Sequence, residues 1–188
     1  MKGAMPVFEV NMPRPWLLVA LVGLAYAQAP QFAVEGRVTY AASYPLGRWE
    51  GTNTTASGQV RWEMESGALE GRICVDLRAF NSGNPLRDAD SRGVFEVNKY
   101  PQSCFQPIRL LRQGEAVSVV GILELHGVSR EIRIAGSLSQ EGAAYRFRGV
   151  FETRFSEWNL ERPSLIFVRV DDPVQVRLEA RVEPVWTR

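Results

Sequence analysis

Apolar and polar side chains alternate along most of the chain, and the clearest case is the run at residues 174–183. Its apolar positions are Val174, Val176, Leu178, Ala180 and Val182. Because successive side chains of a β-strand point to opposite faces, this pattern predicts a strand with one apolar face and one face in water. The same alternation recurs within residues 32–40, 60–64, 69–79, 117–125, 132–138 and 145–155.

Short turn signals separate these segments. They are Ser66-Gly67, the stretch 112–115, His126-Gly127 and the stretch 140–142. Glycine and small polar residues between alternating runs are typical of tight connections between antiparallel strands. About eight antiparallel strands, each with one apolar face, can form a two-sheet sandwich or a closed barrel.

Glycines on the apolar face favour the barrel. Gly36, Gly71, Gly121, Gly136 and Gly149 fall in register with the apolar positions of their strands. Glycine at such positions marks a bend, a bulge or a close approach, and these curve a sheet. The interior of an eight-stranded barrel is filled by side chains or holds one small ligand. The sequence therefore predicts an all-β fold, an eight-stranded antiparallel barrel with an aromatic-rich interior.

One segment departs from the alternation. Asn84-Pro85 combines a favoured helix-capping residue with proline at the first helical position. Lys99-Tyr100-Pro101 then returns the chain to extended structure, because the residue before a proline disfavours the helical conformation. The sequence predicts one short helical excursion at about residues 85–97.

The N-terminal apolar run predicts export. Residues 16–27 are apolar or small, and twelve residues rise only about 18 Å as a helix, short of the roughly 30 Å needed to cross a bilayer. This length and the small residues Ala25 and Ala27 are typical of a signal peptide. We expect cleavage after Ala27, leaving one domain at residues 28–188 without a stable membrane span, periplasmic or secreted. A buried N-terminal helix is the alternative, and translation can start at Met1 or Met12.

The charge of the chain limits its possible binding partners, and its cysteine content bears on its cellular compartment. The chain carries 22 Lys and Arg against 21 Asp and Glu, a net charge of +1, so no large field of one sign favours nucleic acid. Cys74 and Cys104 lie in extended segments, and export permits a disulfide between them. Two separate buried thiols are the alternative.

The sequence contains no complete catalytic constellation. His126 is the only histidine, which excludes a metal site built from several histidines. A structural role in the turn at His126-Gly127 is favoured over catalysis with Ser129 or Asp88. We therefore expect no catalytic residues, no metal and no cofactor.

Three motifs carry a resemblance to a known family. The chain reads DLRAFNSGNPLRDADSRGVFEVNKYPQSCF at residues 76–105, GILELHGVSREIRI at 121–134 and ETRFSEWNL at 152–160. In this order they resemble the YceI-like family of exported, lipocalin-like proteins associated with polyisoprenoid binding. The matching elements are Arg87-Asp88, Val94-Phe95, Lys99-Tyr100-Pro101, residues 125–128 and residues 154–159. Asp90 stands where the family often has histidine, and Cys104 where threonine or a similar residue is usual.

The resemblance implies an eight-stranded lipocalin-like barrel that holds a polyisoprenoid or another long-chain lipid for transport, storage or sequestration. A non-enzymatic cell-envelope interaction or stress-response module with a filled core is the alternative. The expected lining of the apolar lumen is Tyr40, Trp49, Trp62, Leu77, Phe95, Phe105, Leu123, Phe147, Phe151, Phe155 and Trp158. Arg87 and Asp88 near the mouth either meet a polar head or pair with each other or with neighbours. The lipid, the direction of any transfer and the oligomeric state stay open.

Overall fold

A closed barrel of eight antiparallel strands forms the body of the molecule, which confirms the predicted fold and excludes the two-sheet sandwich. The computed structural model describes residues 29–45, 47–114, 116–165 and 168–185. The barrel strands are β1 (Gln31–Tyr44), β2 (Gly47–Trp62), β3 (Leu69–Asp76), β4 (Gln102–Gln113), β5 (Ala116–Leu125), β6 (Val128–Glu141), β7 (Ala144–Arg154) and β10 (Pro173–Pro184). Their order around the barrel is β1-β10-β7-β6-β5-β4-β3-β2, and pairing of β1 with β10 closes it.

The remaining elements lie between barrel strands. A 3-10 turn at Leu77–Ala79 and the helix α1 (Pro85–Val94) connect β3 to β4. A second 3-10 turn at Phe155–Trp158 and a small hairpin of β8 (Ser164–Leu165) with β9 (Val168–Arg169) connect β7 to β10. Among the described residues, no helix has the length and apolar character needed to cross a membrane.

Helix α1 begins where the sequence predicted. The Asn84 side chain accepts hydrogen bonds from the backbone N–H groups of Leu86 and Arg87, at 3.0 and 3.3 Å. Pro85 occupies the first turn, where no backbone donor is needed. The helix ends at Val94 and is therefore shorter than the predicted excursion to residue 97.

Strand β2 is longer than the sequence indicated. Alternation is visible only from residue 60, because residues 51–58 are small or polar. The strand nevertheless begins at Gly47, since this part of the chain pairs with β1. Asn53 in this stretch is 1% exposed. Its amide nitrogen donates to the Asp76 carbonyl at 2.7 Å, and its amide oxygen accepts from the N–H of Thr55 at 2.8 Å. A polar residue can thus occupy the interior when its hydrogen bonds are satisfied.

Two predicted strands end earlier than their alternation suggested. β3 gives way to a 3-10 turn at Leu77, where the Asp76 carboxylate accepts the Arg78 N–H at 2.9 Å. β7 ends at Arg154, whose N–H donates to the Glu157 carboxylate at 2.9 Å. In both places a local side-chain bond to the backbone competes with the β-ladder.

One glycine shows how the sheet curves. The β1–β2 register shifts between Gly36 and Val38. A Cβ at Gly36 would lie 2.6 Å from the Glu179 carbonyl oxygen, so β10 approaches the β1 backbone too closely for a side chain. This agrees with the predicted role of glycine on the apolar face.

Two apolar clusters occupy opposite ends of the barrel. The first, here called the packed end, contains the buried residues Phe32, Val34, Val60, Trp62, Leu110, Val117 and Val119. The second, here called the helix end, centres on Leu77, Phe80 and Val97, with Tyr40 and Phe95 packed against it. The interior between these clusters is the region in which a ligand site can lie.

Candidate functional site

A cavity of about 310 Å³ lies inside the barrel. All eleven residues predicted for the lumen line it: Tyr40, Trp49, Trp62, Leu77, Phe95, Phe105, Leu123, Phe147, Phe151, Phe155 and Trp158. Aliphatic residues such as Val34, Ile134 and Leu138 complete much of the wall. The site is therefore an apolar chamber whose walls come from all eight barrel strands and from α1.

Gly121 leaves space for an aromatic ring at the wall of the chamber. A Cβ at Gly121 would come within 2.6 Å of the Phe105 ring, which belongs to the neighbouring strand β4. Because Gly121 has no side chain, the Phe105 ring can occupy this space. Glycine is often found where an aromatic ring of a neighbouring strand packs closely on the backbone.

Three aromatic rings pack together at the packed end. The Phe32 centroid lies 5.8 Å from Trp62 and 6.1 Å from Tyr145, and Trp62 lies 5.1 Å from Tyr145. Such tilted and edge-to-face arrangements are those that aromatic pairs favour. Trp62 and Tyr145 both line the cavity, so this cluster forms its floor.

The helix end combines aromatic packing with polar groups. The Tyr40 ring lies 5.2 Å from Phe80, which in turn stacks on Phe95 at 5.8 Å. The Tyr40 hydroxyl is hydrogen-bonded to the Ser91 hydroxyl of α1 at 3.1 Å. Burial raises the pKa of Tyr40 above its ordinary value of 10.0, against the lowering effect of its hydrogen bonds to Ser91 and Trp49. The tyrosine is therefore a neutral donor and acceptor at physiological pH.

Arg87 and Asp88 each engage a neighbour. The Arg87 guanidinium lies 5.6 Å from the centroid of the Trp49 ring, and Arg87 lines the cavity. The Asp88 carboxylate accepts hydrogen bonds from the backbone N–H and the hydroxyl of Ser82, at 2.8 and 2.7 Å. Asp88 thus fixes the start of α1 from outside the chamber, whereas Arg87 borders it.

A sequence model of the YceI-like domain matches residues 32–182 of this chain. The chain belongs to the YceI-like family. The resemblance read from its three motifs is thereby confirmed, and the match spans every barrel strand.

Solved structures share the fold of this YceI-like chain. BcnA of Burkholderia cenocepacia superposes with a TM-score of 0.70 at 22% identity, covering 78% of this chain and 95% of BcnA. A polyisoprenoid binding domain from Saccharophagus degradans has a TM-score of 0.66 at 16% identity, covering 85% of this chain and all of that domain (100%). At these identities the likeness concerns the fold.

Curated relatives match a shorter stretch. A UPF0312 protein of Yersinia pestis is 26% identical over 72 residues, which make up 37% of this chain and 38% of the relative. The YceI-like chain thus spans well under half the length of the curated relatives that it matches.

A disulfide joins the bases of the segment that carries α1. Cys74 in β3 and Cys104 in β4 are directly paired across the two strands, with Cα atoms 4.1 Å apart, and their sulfurs are bonded. The disulfide that the sequence permitted is therefore present, and the alternative of two separate thiols is wrong. The bond lies two residues before the end of β3 and two after the start of β4, so it fixes both ends of the connection that covers the barrel mouth.

His126, the only histidine of this YceI-like chain, connects separate segments of the fold through its ring nitrogens. His126 Nε2 lies 2.6 Å from a carboxylate oxygen of Glu96, and Nδ1 lies 3.2 Å from the Trp158 carbonyl. Its ring also packs on Tyr100, 4.6 Å between centroids. Both ring nitrogens are thus engaged with groups other than Ser129 and Asp88, in agreement with the structural role favoured from the sequence. Among the described residues, no three or more His, Cys, Asp or Glu are grouped to hold a metal ion.

Several cavity residues had no clear signal in the sequence. Phe80, Asp90 and Ser91 all line the chamber. Phe80 follows a 3-10 turn, where no strand periodicity applies. The two polar residues belong to α1 and reach the chamber because this helix contacts the barrel, where the Ser91 hydroxyl is hydrogen-bonded to Tyr40 of β1. Tyr145 and Leu110, in contrast, are on the inner faces of β7 and β4, and their hydrophobicity is a usable signal.

Proposed function

We propose that the protein binds a polyisoprenoid or a similar long apolar lipid inside its barrel, for transport, storage or sequestration, without covalent chemistry. The observation that carries this proposal is the cavity of about 310 Å³ lined by aromatic and aliphatic side chains. Ligand sites in proteins fall in this size range and are mostly apolar.

The chemistry of the wall suits such a lipid. An isoprenoid chain offers no hydrogen bonds, so its affinity comes from apolar burial, about 0.8 kcal/mol per buried methylene before the cost of ordering the chain. Phe147, Phe151 and Leu123 supply apolar contact without requiring a partner from the ligand. The Saccharophagus degradans domain, described as polyisoprenoid binding, supports the same assignment.

The alternative of a filled core has less support. Aromatic residues pack tightly at the packed end, yet a chamber persists above them. A binding protein is likewise favoured over an enzyme, because the His126 ring nitrogens are already occupied by Glu96 and the Trp158 carbonyl.

We further propose that the protein is exported and works in the periplasm or outside the cell. The predicted signal peptide at residues 1–27 lies outside the described residues. The bond between Cys74 and Cys104 supports the proposal, since disulfides persist in oxidising compartments.

Titration with a fluorescent prenyl lipid tests the binding proposal. Leu123→Trp fills part of the lumen, whereas the adjacent Ile122, which does not line the cavity, provides a matched control as Ile122→Trp. We expect saturable binding by the wild type and by Ile122→Trp, and a loss of at least tenfold in affinity for Leu123→Trp. Equal affinity of the two variants, both folded, would place the lipid outside the barrel.

A further inference from the structure

Helix α1 has an apolar outer side and a mostly polar inner side. The residues of α1 that line the chamber are mostly polar: Arg87, Asp90, Ser91 and Val94. Its exposed residues that do not line the chamber carry no polar or charged side chain: Pro85, Leu86, Ala89 and Gly93. A surface helix usually buries its apolar side and exposes its polar side. The reversal in α1 indicates that its outer side meets an apolar environment.

Leu86 is the largest apolar residue on the outer side of α1. It is 78% exposed, the highest value among the large apolar residues of the described chain, and Met64 follows at 49%. A Cβ at Gly93 would meet nothing within 4 Å, so the helix surface is open there as well. A single exposed leucine is ordinary on a protein surface, so its meaning depends on its neighbours.

Two aromatic residues of β1 and β2 lie at the same end of the barrel as α1. Tyr44 is the last residue of β1, and Trp49 pairs with Ala42 of that strand. The two rings are 5.4 Å apart between centroids, and both residues are half-buried. The guanidinium of Arg87, the residue after Leu86, lies 5.6 Å from the centroid of the Trp49 ring. Tyrosine, tryptophan and arginine beside leucine are the residues that proteins place at the interface between membrane and water.

The size and charge of this surface favour a bilayer over a protein partner. It consists of Tyr44, Trp49, Pro85, Leu86 and Ala89, here called the rim patch. The ten residues of α1 extend only about 15 Å, whereas a stable protein interface buries roughly 800 Å² on each partner. Shallow insertion into a bilayer needs no such area, because each apolar carbon that enters adds to the binding. The two arginines and two aspartates of α1 balance, so its charge does not favour an anionic partner.

We propose that the rim patch docks on the surface of a lipid bilayer, with Leu86 inserted at the level of the head groups, and that the lipid passes between bilayer and chamber there. This inference rests on the proposed function and adds the surface at which the lipid is exchanged. Phe32, Trp62 and Tyr145 pack together at the packed end, so a lipid that moves along the barrel enters at the helix end. Direct contact with the bilayer spares the apolar chain a passage through water, which is unfavourable.

A fluorophore whose emission shifts to the blue in apolar surroundings tests the docking directly. It is attached to Leu86→Cys, and Met64→Cys is the matched control, because Met64 is the next most exposed large apolar residue and follows β2 at the packed end. Cys74 and Cys104 are bonded to each other, so only the new thiol is labelled. With vesicles of phosphatidylcholine, we expect a saturable blue shift for the label at residue 86 and none for the label at residue 64.

The rate of lipid transfer provides the second readout. Protein loaded with a fluorescent prenyl lipid is mixed with phosphatidylcholine vesicles that contain a quencher. For the wild type and Met64→Ser, we expect a transfer rate proportional to the vesicle concentration. Leu86→Ser should lower this rate about tenfold, because it removes apolar carbons that enter the bilayer. Its equilibrium affinity for the lipid should equal that of the wild type, since Leu86 does not line the chamber.

The outcomes separate this inference from the proposed function. If the label at residue 86 does not respond to vesicles and the transfer rate is independent of their concentration, the inference is wrong, while lipid binding in the chamber stands. A shift at residue 64 alone would show docking through the packed end or the residues before β1 and would also overturn the inference. The same holds for a shift at residue 86 that grows with protein concentration without vesicles, which would assign the rim patch to a second copy of the chain. If the label at residue 86 shifts with vesicles but no lipid binds, the docking surface stands and the proposed function is wrong.

Discussion

His126 Nε2 lies 2.6 Å from the Glu96 carboxylate, and this contact ties the chain after α1 to the turn between β5 and β6. Both residues have a left-handed backbone, with φ of 52° at His126 and 46° at Glu96. This conformation is uncommon for residues other than glycine, so the bond holds together two strained turns at the barrel mouth.

Removal of the His126 ring should destabilise the fold rather than abolish an activity. His126→Ala leaves the Trp158 carbonyl and the Glu96 carboxylate without this partner, and we expect a loss of about 1–3 kcal/mol in the free energy of unfolding. Urea denaturation measures it. His126→Asn is the control for backbone strain, because asparagine tolerates the left-handed region and should recover part of the loss. Unchanged stability in both variants would contradict a stabilising role for the contacts of His126 with Glu96 and Trp158.

The disulfide should stabilise the barrel by constraining the unfolded chain. Cys74 and Cys104 are 30 residues apart, and closure of a loop of that length predicts a contribution of about 3.6 kcal/mol. We expect a reductant to lower the urea midpoint of the wild type. The double variant Cys74→Ser, Cys104→Ser should start at the lower midpoint and show no response to the reductant. A wild-type midpoint that does not move on reduction would be inconsistent with this bond.

Two glycines should respond to alanine in opposite directions. A Cβ at Gly121 would lie 2.4 Å from the Gln106 carbonyl and 2.6 Å from the Phe105 ring, whereas a Cβ at Gly93 meets nothing within 4 Å. Gly121→Ala should therefore destabilise the protein by about 1–3 kcal/mol through overpacking. Gly93→Ala in α1 should stabilise it by about 0.5–1 kcal/mol through helix propensity. Thermal unfolding of both variants checks the pair, and shifts of the same sign would refute the close approach at Gly121.

Glu157 should give the fold a stability that depends on pH. The Thr153 hydroxyl and, after it, the Arg154 backbone N–H donate to this carboxylate, and together they lower its pKa below the ordinary value of 4.5. A lowered pKa in the folded state means that the stabilisation is complete above that ordinary value and is lost as pH falls through the folded pKa. We expect the stability difference between wild type and Glu157→Gln to shrink over that acidic range. A difference that stays constant there would argue against these bonds.

The barrel could be predicted because its strands alternate in burial. In β5, the buried residues Val117, Val119 and Gly121 alternate with half-buried ones. In β10, exposed and half-buried residues alternate from residue 179 to residue 184. Both patterns correspond to a period of two in the sequence. The first half of β2 could not be predicted from apolar alternation. Its buried residue Asn53 is polar, and its burial is possible because its side chain is hydrogen-bonded. The N-cap of α1 at Asn84 could be predicted from the sequence, because capping depends on neighbouring residues in the chain.

The two ends of the chamber differ in how far the sequence reveals them. Aromatic residues such as Phe147 and Phe151 show their inward position through the strand period. The polar residues Asp90 and Ser91 reach the chamber only through the docking of α1 on the barrel, which no local pattern encodes.

Mass spectrometry of the lipid extracted from purified protein tests the central proposal most directly. We expect one long apolar lipid per chain in the wild type and in Ile122→Trp, and its loss from Leu123→Trp. Wild-type protein that is reproducibly empty, and that takes up neither prenyl quinones nor prenyl phosphates when they are offered, would contradict the proposal that the barrel is a lipid-binding site.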